Sequence, residues 1–324
     1  MTPVAGITID SYLSGSSLDS MAADVRAGLT RKGLKQLPPK YFYDDRGSEL
    51  FDEITSLPEY YPTRCERALL NRRAPEIVEI TGARELLELG SGTASKTRAL
   101  LFAMAGAGTL DRYLPMDVSE WVVERCAEEL VELYPGLAVH GIVGDFEQHL
   151  HHVPPGERRL VAFLGGTIGN LYPDTRAAFM RDLRGLLGDD GRLVLGTDLA
   201  KDVATLEAAY NDSAGVTAEF NLNVLRAINR ELDADFDVDA FEHVAFFNER
   251  DSWIEMRLRA NGAQRVRIEA ADLDLELDDG EEIRTEISTK FTREQLEEEL
   301  SGAGMELESF FSDGMFGLTV ARPS

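Results

Sequence analysis

Only two cysteines, Cys65 and Cys126, occur in 324 residues, far apart and without a CxxC pairing. They cannot build a disulfide framework or a four-ligand zinc site by themselves, which suits a reducing compartment. No run of about 18 apolar residues is present, so no membrane-spanning helix is expected. The N-terminus lacks the basic and apolar regions of a signal peptide, and the expected location is cytoplasmic. Basic residues are scarce as well. The 33 Lys and Arg against 58 Asp and Glu leave a formal charge of −25. That argues against nucleic acid as a partner, because phosphate binding needs a basic footprint. An acidic surface of this kind serves solubility first. Repeats and low-complexity runs are also missing.

What is present is an ordinary globular composition, 44% hydrophobic and 28% charged, in a chain long enough for one large domain with an addition. The first 35 residues are Ser/Gly/Asp-rich with one weak helix, Leu18 to Leu29. An amphipathic helix carries Leu50, Phe51, Ile54 and Leu57 on one face and ends at Pro58, and a second runs from about Arg64 to Ile80. Strands are then expected at Glu85 to Leu89, Arg112 to Met116, Ala138 to Val143, Arg159 to Leu164 and Arg192 to Leu195. Helices alternate with them at Lys96 to Ala105, Glu120 to Tyr134 and Asp174 to Leu187. This spacing predicts an α/β fold, a doubly wound, mostly parallel Rossmann-like sheet. From about Lys201 the alternation breaks into two helices and several half-buried antiparallel strands, with an acidic loop at Asp233 to Asp239. A helix from Thr292 and a terminal hairpin then return to complete the sheet. The expected division is 1–200 for an N-terminal helical segment plus core, 201–290 for an inserted α+β domain, and 291–324 for the closing helix and hairpin.

Chemistry concentrates at the strand ends. Glu88-Leu-Gly90-Ser-Gly92-Thr93 places glycines where the first core strand turns into a helix, so the backbone can approach a ligand. As a dinucleotide fingerprint it fails in part, since Ser95 stands where a third glycine belongs. The acid at Glu88 can meet a cationic amino-acid moiety and would repel a pyrophosphate. Asp117 closes the second strand, where a carboxylate can accept both ribose hydroxyls. Asp145-Phe146 follows the third, an acid for an adenine amine and a ring to pack on the base. Each acid alone could equally be a helix N-cap. Together, in order, they point to S-adenosylmethionine as a methyl donor rather than to a nicotinamide dinucleotide.

Tyr60-Tyr-Pro-Thr-Arg64, the Glu88–Thr93 loop, Phe163-Leu-Gly-Gly-Thr-Ile-Gly-Asn170 and Thr285-Glu-Ile-Ser288 in combination give a wider match. From about Leu29 to Ala321 the sequence resembles the L-histidine Nα-methyltransferases of ergothioneine biosynthesis, which make the trimethylated betaine hercynine on a class I methyltransferase core. One departure is Gly166, where related sequences carry serine. The resemblance implies that Tyr43, Gly90, Lys96, Asp117, Asp145 and Phe146 hold S-adenosylmethionine, with Glu88, read from the loop itself, beside them. It implies that Tyr60, Gly165, Thr167, Asn170, Tyr210, Met256, Glu286 and Ser288 hold histidine, the last three at the imidazole. Asn170 and Tyr43 would be catalytic, no metal would be needed, and the protein would act as a monomer on a small molecule.

Without the resemblance several of these residues read differently. Glu286 alternates with Ile283 and Ile287, which by pattern is a solvated strand face. Met256 lies between Ile254 and Leu258 and would be core. Tyr60 could pack a helix, and Asn170 could be a turn residue. His149, His151 and His152 form an HxHH cluster that invites a metal reading, but no carboxylate at ligand spacing supports it, and an exposed loop is expected. The alternatives are the same chemistry on another amino acid such as tryptophan, and a regulatory protein that binds the donor without turnover.

Overall fold

The computed structural model describes residues 6–13 and 17–324. In chain order the first elements are strand β1 (Gly6–Ser11), helix α1 (Ser17–Leu29), strand β2 (Lys35–Gln36) and helices α2 (Asp45–Ser56) and α3 (Pro62–Thr81). The alternating stretch begins with β3 (Glu85–Leu89), α4 (Arg98–Gly106), β4 (Arg112–Asp117), α5 (Glu120–Leu133) and β5 (Ala138–Val143). It continues with α6 (Phe146–His149), β6 (Arg159–Phe163), α7 (Pro173–Leu187) and β7 (Arg192–Asp198). Next come α8 (Val203–Tyr210), α9 (Val216–Leu232) and strands β8 (Phe241–Asn248), β9 (Trp253–Ala260), β10 (Gln264–Ile268), β11 (Leu273–Leu277) and β12 (Glu282–Thr289). Helix α10 (Arg293–Gly302) and strands β13 (Met305–Ser312) and β14 (Phe316–Pro323) close the chain.

These elements form two units. Unit 1 takes the described part of Met1–Leu13 with Arg64–Leu199 and Phe291–Ser324; unit 2 takes the described part of Ser14–Thr63 with Ala200–Lys290. Unit 1 is built on an eight-stranded sheet in the order β1-β5-β4-β3-β6-β7-β14-β13. All neighbours up to β7 are parallel, and the terminal hairpin adds two antiparallel strands. Leaving β1 aside, this is the Rossmann-like class I arrangement. The apolar run of β3 serves two cores at once. Leu86 joins Leu100, Leu101, Met104 and Leu130 on one face, while Leu87 joins Phe179, Met180 and Leu183 on the other. A strand covered on both sides has no polar face to show. Strand order reverses beside β3, so the loops after β3, β4, β5 and β6 gather at the carboxyl edge where such sheets take ligands.

Two features depart from the expected boundaries. The strand β1 lies where the sequence pattern predicts no strand; it pairs in parallel with β5 at the sheet edge. Residues 17–63 group with unit 2, not with the core. There β2 extends the sheet β2-β12-β9-β8, Arg26 donates to Ala271 O at 2.6 Å, and Asn223 donates to Asp44 Oδ1 at 2.7 Å. Partners 179 and 245 positions away leave no trace in a local pattern. Strands β10 and β11 form a separate hairpin. Thr292 caps α10 in a reciprocal box with Gln295, which fixes where the chain re-enters the core. Among the described residues no helix is long and apolar enough to cross a membrane.

Candidate functional site

In unit 1 the loop after β3 turns on Gly90 and Gly92, with φ of +68° and +49°, a backbone region that glycine adopts freely. The N–H groups of Gly90 and Ser91 reach back to Met116 O at 2.9 and 3.1 Å, which lays the loop across the end of β4. A Cβ on Gly90 would meet only the Phe146 ring edge, at 3.9 Å, and one on Gly92 would meet nothing within 4 Å. The loop therefore faces open space. Asp117 accepts the Gly92 N–H at 2.9 Å and the Ser119 N–H at 3.0 Å. Two bonds leave a carboxylate with free lone pairs for hydroxyl donors. Asp145 caps α6 through the Glu147 N–H at 2.8 Å and also takes the Gln148 amide at 3.0 Å. Phe146 packs by its edge on Phe163 and tilted against Phe179.

Glu88 is placed differently from the expectation that it faces a ligand. It is 4% exposed, and its two oxygens are taken by the hydroxyls of Thr97 and Tyr113. Burial pushes its pKa up to about 7, against the downward pull of those hydroxyls and of Lys96. It anchors the glycine loop from beneath.

The loop after β6 carries the second group. Gly165 and Gly166 take φ of +82° and +70° before a short 3-10 turn, Thr167–Asn170. The Thr167 hydroxyl is spent on Leu164 O at 3.1 Å. Asn170 is half-buried at the end of the turn, and its amide makes no hydrogen bond among the described residues. Elsewhere in unit 1, Tyr12 stacks on His152 at 3.9 Å beside His149 and His151. Among the described residues no group of three or more His, Cys, Asp or Glu could hold a metal.

Unit 2 gathers the remaining residues. Glu286 on β12 lies directly opposite Met256 on β9, which faces Ala245 on β8. A bulge between Arg284 and Glu286 shifts the register. It places Glu286 on the same face as Ile283, whose partner Leu258 is two residues from Met256. Without that extra residue Glu286 would share the face of Arg284, as simple alternation predicts. The bulged Thr285 is pinned by its hydroxyl, 2.6 Å from the buried Asn221 Oδ1. Helices α8 and α9 lie on this face: His243 accepts from Asn221 at 2.8 Å and donates to Tyr210 O at 2.9 Å. Burial pushes the His243 pKa down, in keeping with that neutral tautomer.

Tyr210 donates its hydroxyl to Ser288 Oγ at 2.8 Å. The fully buried Lys290 donates to both, at 2.8 Å to Ser288 and 3.0 Å to Tyr210. Tyr60 meets Tyr210 edge-on at 6.3 Å, and Tyr43 packs edge-on against Phe51 and Phe220. Tyr43 keeps 45% of its surface exposed, but its hydroxyl end is desolvated and stands near the charge of Glu286, and both push its pKa up and keep the hydroxyl neutral. Tyr43 thus belongs electrostatically with Glu286 and Tyr210. Glu286 is 9% exposed, and no hydrogen bond reaches its carboxylate among the described residues. Burial lifts its pKa to about 7, with Lys290 pulling the other way.

The family described as histidine-specific methyltransferase, SAM-dependent, matches residues 21–323. The chain belongs to this family. It is 50% identical over 318 residues to a histidine N-alpha-methyltransferase of Mycolicibacterium smegmatis, spanning 97% of this chain and 99% of that protein. A histidine N-alpha-methyltransferase of Mycobacterium tuberculosis is 51% identical over 304 residues, 93% of this chain and 94% of that one. Ergothioneine biosynthesis protein 1 of Neurospora crassa is 29% identical over 303 residues, 88% of this chain and 32% of the fungal protein. Membership makes the chain a methyltransferase with S-adenosylmethionine as its methyl donor.

One residue of this methyltransferase escaped the motifs. Glu66 on α3 is fully buried and touches both loops of unit 1 through Lys96 and Gly165. Its signal lay in helical spacing. It shares a stripe with Leu69, Leu70, Ala74 and Ile77, all buried, so a charge sits on the apolar face.

Proposed function

We propose that this methyltransferase transfers methyl groups from S-adenosylmethionine to the α-amino group of L-histidine, three times, giving hercynine for ergothioneine biosynthesis. The observation that carries the acceptor is Glu286, a buried carboxylate opposite Met256 that receives no hydrogen bond among the described residues. An imidazole N–H would complete it. A phenylalanine or leucine side chain would leave the charge stranded, so the site rewards histidine by penalising the others.

The residues of unit 1 fit the donor. Gly90 and Gly92 open the backbone towards it, Asp117 keeps lone pairs for ribose hydroxyls, and Asp145 and Phe146 stand at the end of β5 for the adenine. Lys96 completes the set, and Glu88 supports the loop through Thr97 and Tyr113. Bound there, the donor supplies an electrophilic methyl on a sulfonium. The rest of the task is alignment, which can lower a barrier by several kcal/mol, up to about 10.

The attacking amine must be neutral, although an α-amino group ordinarily titrates near pH 8. Leaving water lowers that value. The Asn170 amide oxygen and the Tyr43 hydroxyl are each neutral, and a neutral acceptor of this kind would take an amine N–H and aim the lone pair. A carboxylate in that place would favour the unreactive ammonium. Tyr60 and Tyr210, with Gly165 and Thr167, would hold the carboxylate and amino ends of the substrate, and Ser288 would face the imidazole.

Incubation with labelled donor and each of the twenty amino acids, with products identified by mass, tests this reading. Histidine alone should gain one to three methyl groups. Labelling of tryptophan, or of nothing, would overturn it.

A further inference from the structure

Glu66 joins the two loops of unit 1 with a single carboxylate. One oxygen takes Lys96 Nζ at 2.5 Å and the other takes the Gly165 N–H at 2.7 Å. Lys96 belongs to the segment after β3, and Gly165 opens the segment after β6. The Lys96 side chain is 24% exposed while that of Glu66 is 1% exposed, so the lysine runs from a sealed anchor to a surface a ligand can reach.

The space around this carboxylate is built for it. A Cβ on Gly196, in the middle of β7, would stand 2.1 Å from Glu66 Oε1. Gly196 needs no unusual backbone; what the site requires of it is the missing side chain. A Cβ on Gly165 would sit 3.3 Å from Lys96 Nζ, so the lysine and the second loop are also in close approach. Only an ionised acid satisfies this arrangement, because both partners donate and both oxygens must accept. An amide would turn an NH2 group on one of them.

We infer that Glu66 is a positioning residue of the methyl transfer, setting Lys96 for the donor and the Gly165 loop for histidine through one group, with Gly196 as its socket. The inference rests on the proposed roles of Lys96 and Gly165. Its consequence is that donor affinity and histidine affinity fall together when this carboxylate is altered, although Glu66 itself touches neither ligand.

The test compares Glu66→Gln, Gly196→Ala, Lys96→Met and the Glu66→Gln/Lys96→Met double variant in the full chain. Donor-site affinity is read by calorimetry with S-adenosylhomocysteine, histidine KM and kcat by product mass, and folding by far-UV circular dichroism. Glu66→Gln should weaken S-adenosylhomocysteine about tenfold and raise the histidine KM about tenfold, the scale of a charge-assisted hydrogen bond. Gly196→Ala, which keeps the acid but fills its space, should reproduce both changes. In the Lys96→Met background, Glu66→Gln should cost less than about twofold in donor affinity yet still raise the histidine KM, since only the Lys96 route has been removed.

Additive losses in donor affinity would overturn the inference, because a merely structural role adds. So would Glu66→Gln with both constants unchanged while Lys96→Met weakens the donor, or loss of fold in both Glu66→Gln and Gly196→Ala. Unchanged donor affinity in Lys96→Met would instead bring down the donor-site reading, and this inference with it.

Discussion

Glu88 in unit 1 and Glu286 in unit 2 are buried carboxylates whose pKa values are both pushed up to about 7, and the leading cause in each is the loss of water around the charge. Their surroundings differ in kind. Thr97 and Tyr113 deliver hydroxyls to the two oxygens of Glu88, so the fold completes that acid by itself. Glu286 receives no hydrogen bond among the described residues, and Lys290 acts on it only through its charge. A desolvated carboxylate without a protein partner costs about 1–3 kcal/mol or more, lessened at Glu286 by the water that its 9% exposure admits. A fold that carries such a cost at one carboxylate and removes it at another separates a residue that reads a ligand from one that supports a loop.

The largest effect expected from this contrast falls on turnover. Glu286→Ala should lower kcat/KM for histidine about 10³-fold, near 4 kcal/mol, as when one partner of a buried charged hydrogen bond is removed. Affinity for S-adenosylhomocysteine should stay within about twofold. Steady-state kinetics and calorimetry check both, and a histidine kcat/KM close to that of the parent would erase the distinction. Stability should show the reverse. Glu88→Ala leaves two buried hydroxyls without an acceptor and opens a cavity, so urea denaturation should show a loss of about 3 kcal/mol. Glu286→Ala removes a strained charge instead, and should lose less than about 1 kcal/mol at pH 8. Equal losses would mean that Glu286 is as much a part of the framework as Glu88.

The same contrast shows what could be seen in the sequence. Gly90, Asp117 and Asp145 stood out because each closes or follows a buried strand, and Glu88 because it interrupts the apolar run of β3 one residue before its end. The fold class followed from the same punctuation. Glu286 was hidden because the bulge at Thr285 adds one residue to β12, after which residues 285 to 289 are all buried. Alternation counts faces by twos and cannot register an inserted residue. Glu66 was hidden by its neighbours Arg64 and Arg67, which make the helix look solvated, although its own position is on the buried stripe. The grouping of residues 17–63 with unit 2 depends on pairings such as Gln36 with Arg284, which no local window contains.

The remaining prediction concerns pH and isolates Glu286 from Glu88. The Glu286 pKa is about 7 in the fold against an ordinary 4.5. Between these values the folded state holds more protons than the unfolded chain, so stability falls as pH rises through the window and the full cost is present above it. Glu286→Gln lacks this titration. Its stability relative to the parent should be unchanged near pH 4 and should rise by about 3 kcal/mol by pH 8, the size of a shift from 4.5 to about 7 that already contains the pull of Lys290. Glu88 titrates over the same range in both proteins and cancels in the difference, while Tyr43 stays protonated throughout and does not enter. Urea midpoints at pH 4, 5.5, 7 and 8 give the curve. A flat difference would mean that the Glu286 carboxylate is paired or hydrated in solution, and the two acids would then no longer differ in the way that assigns histidine recognition to one of them.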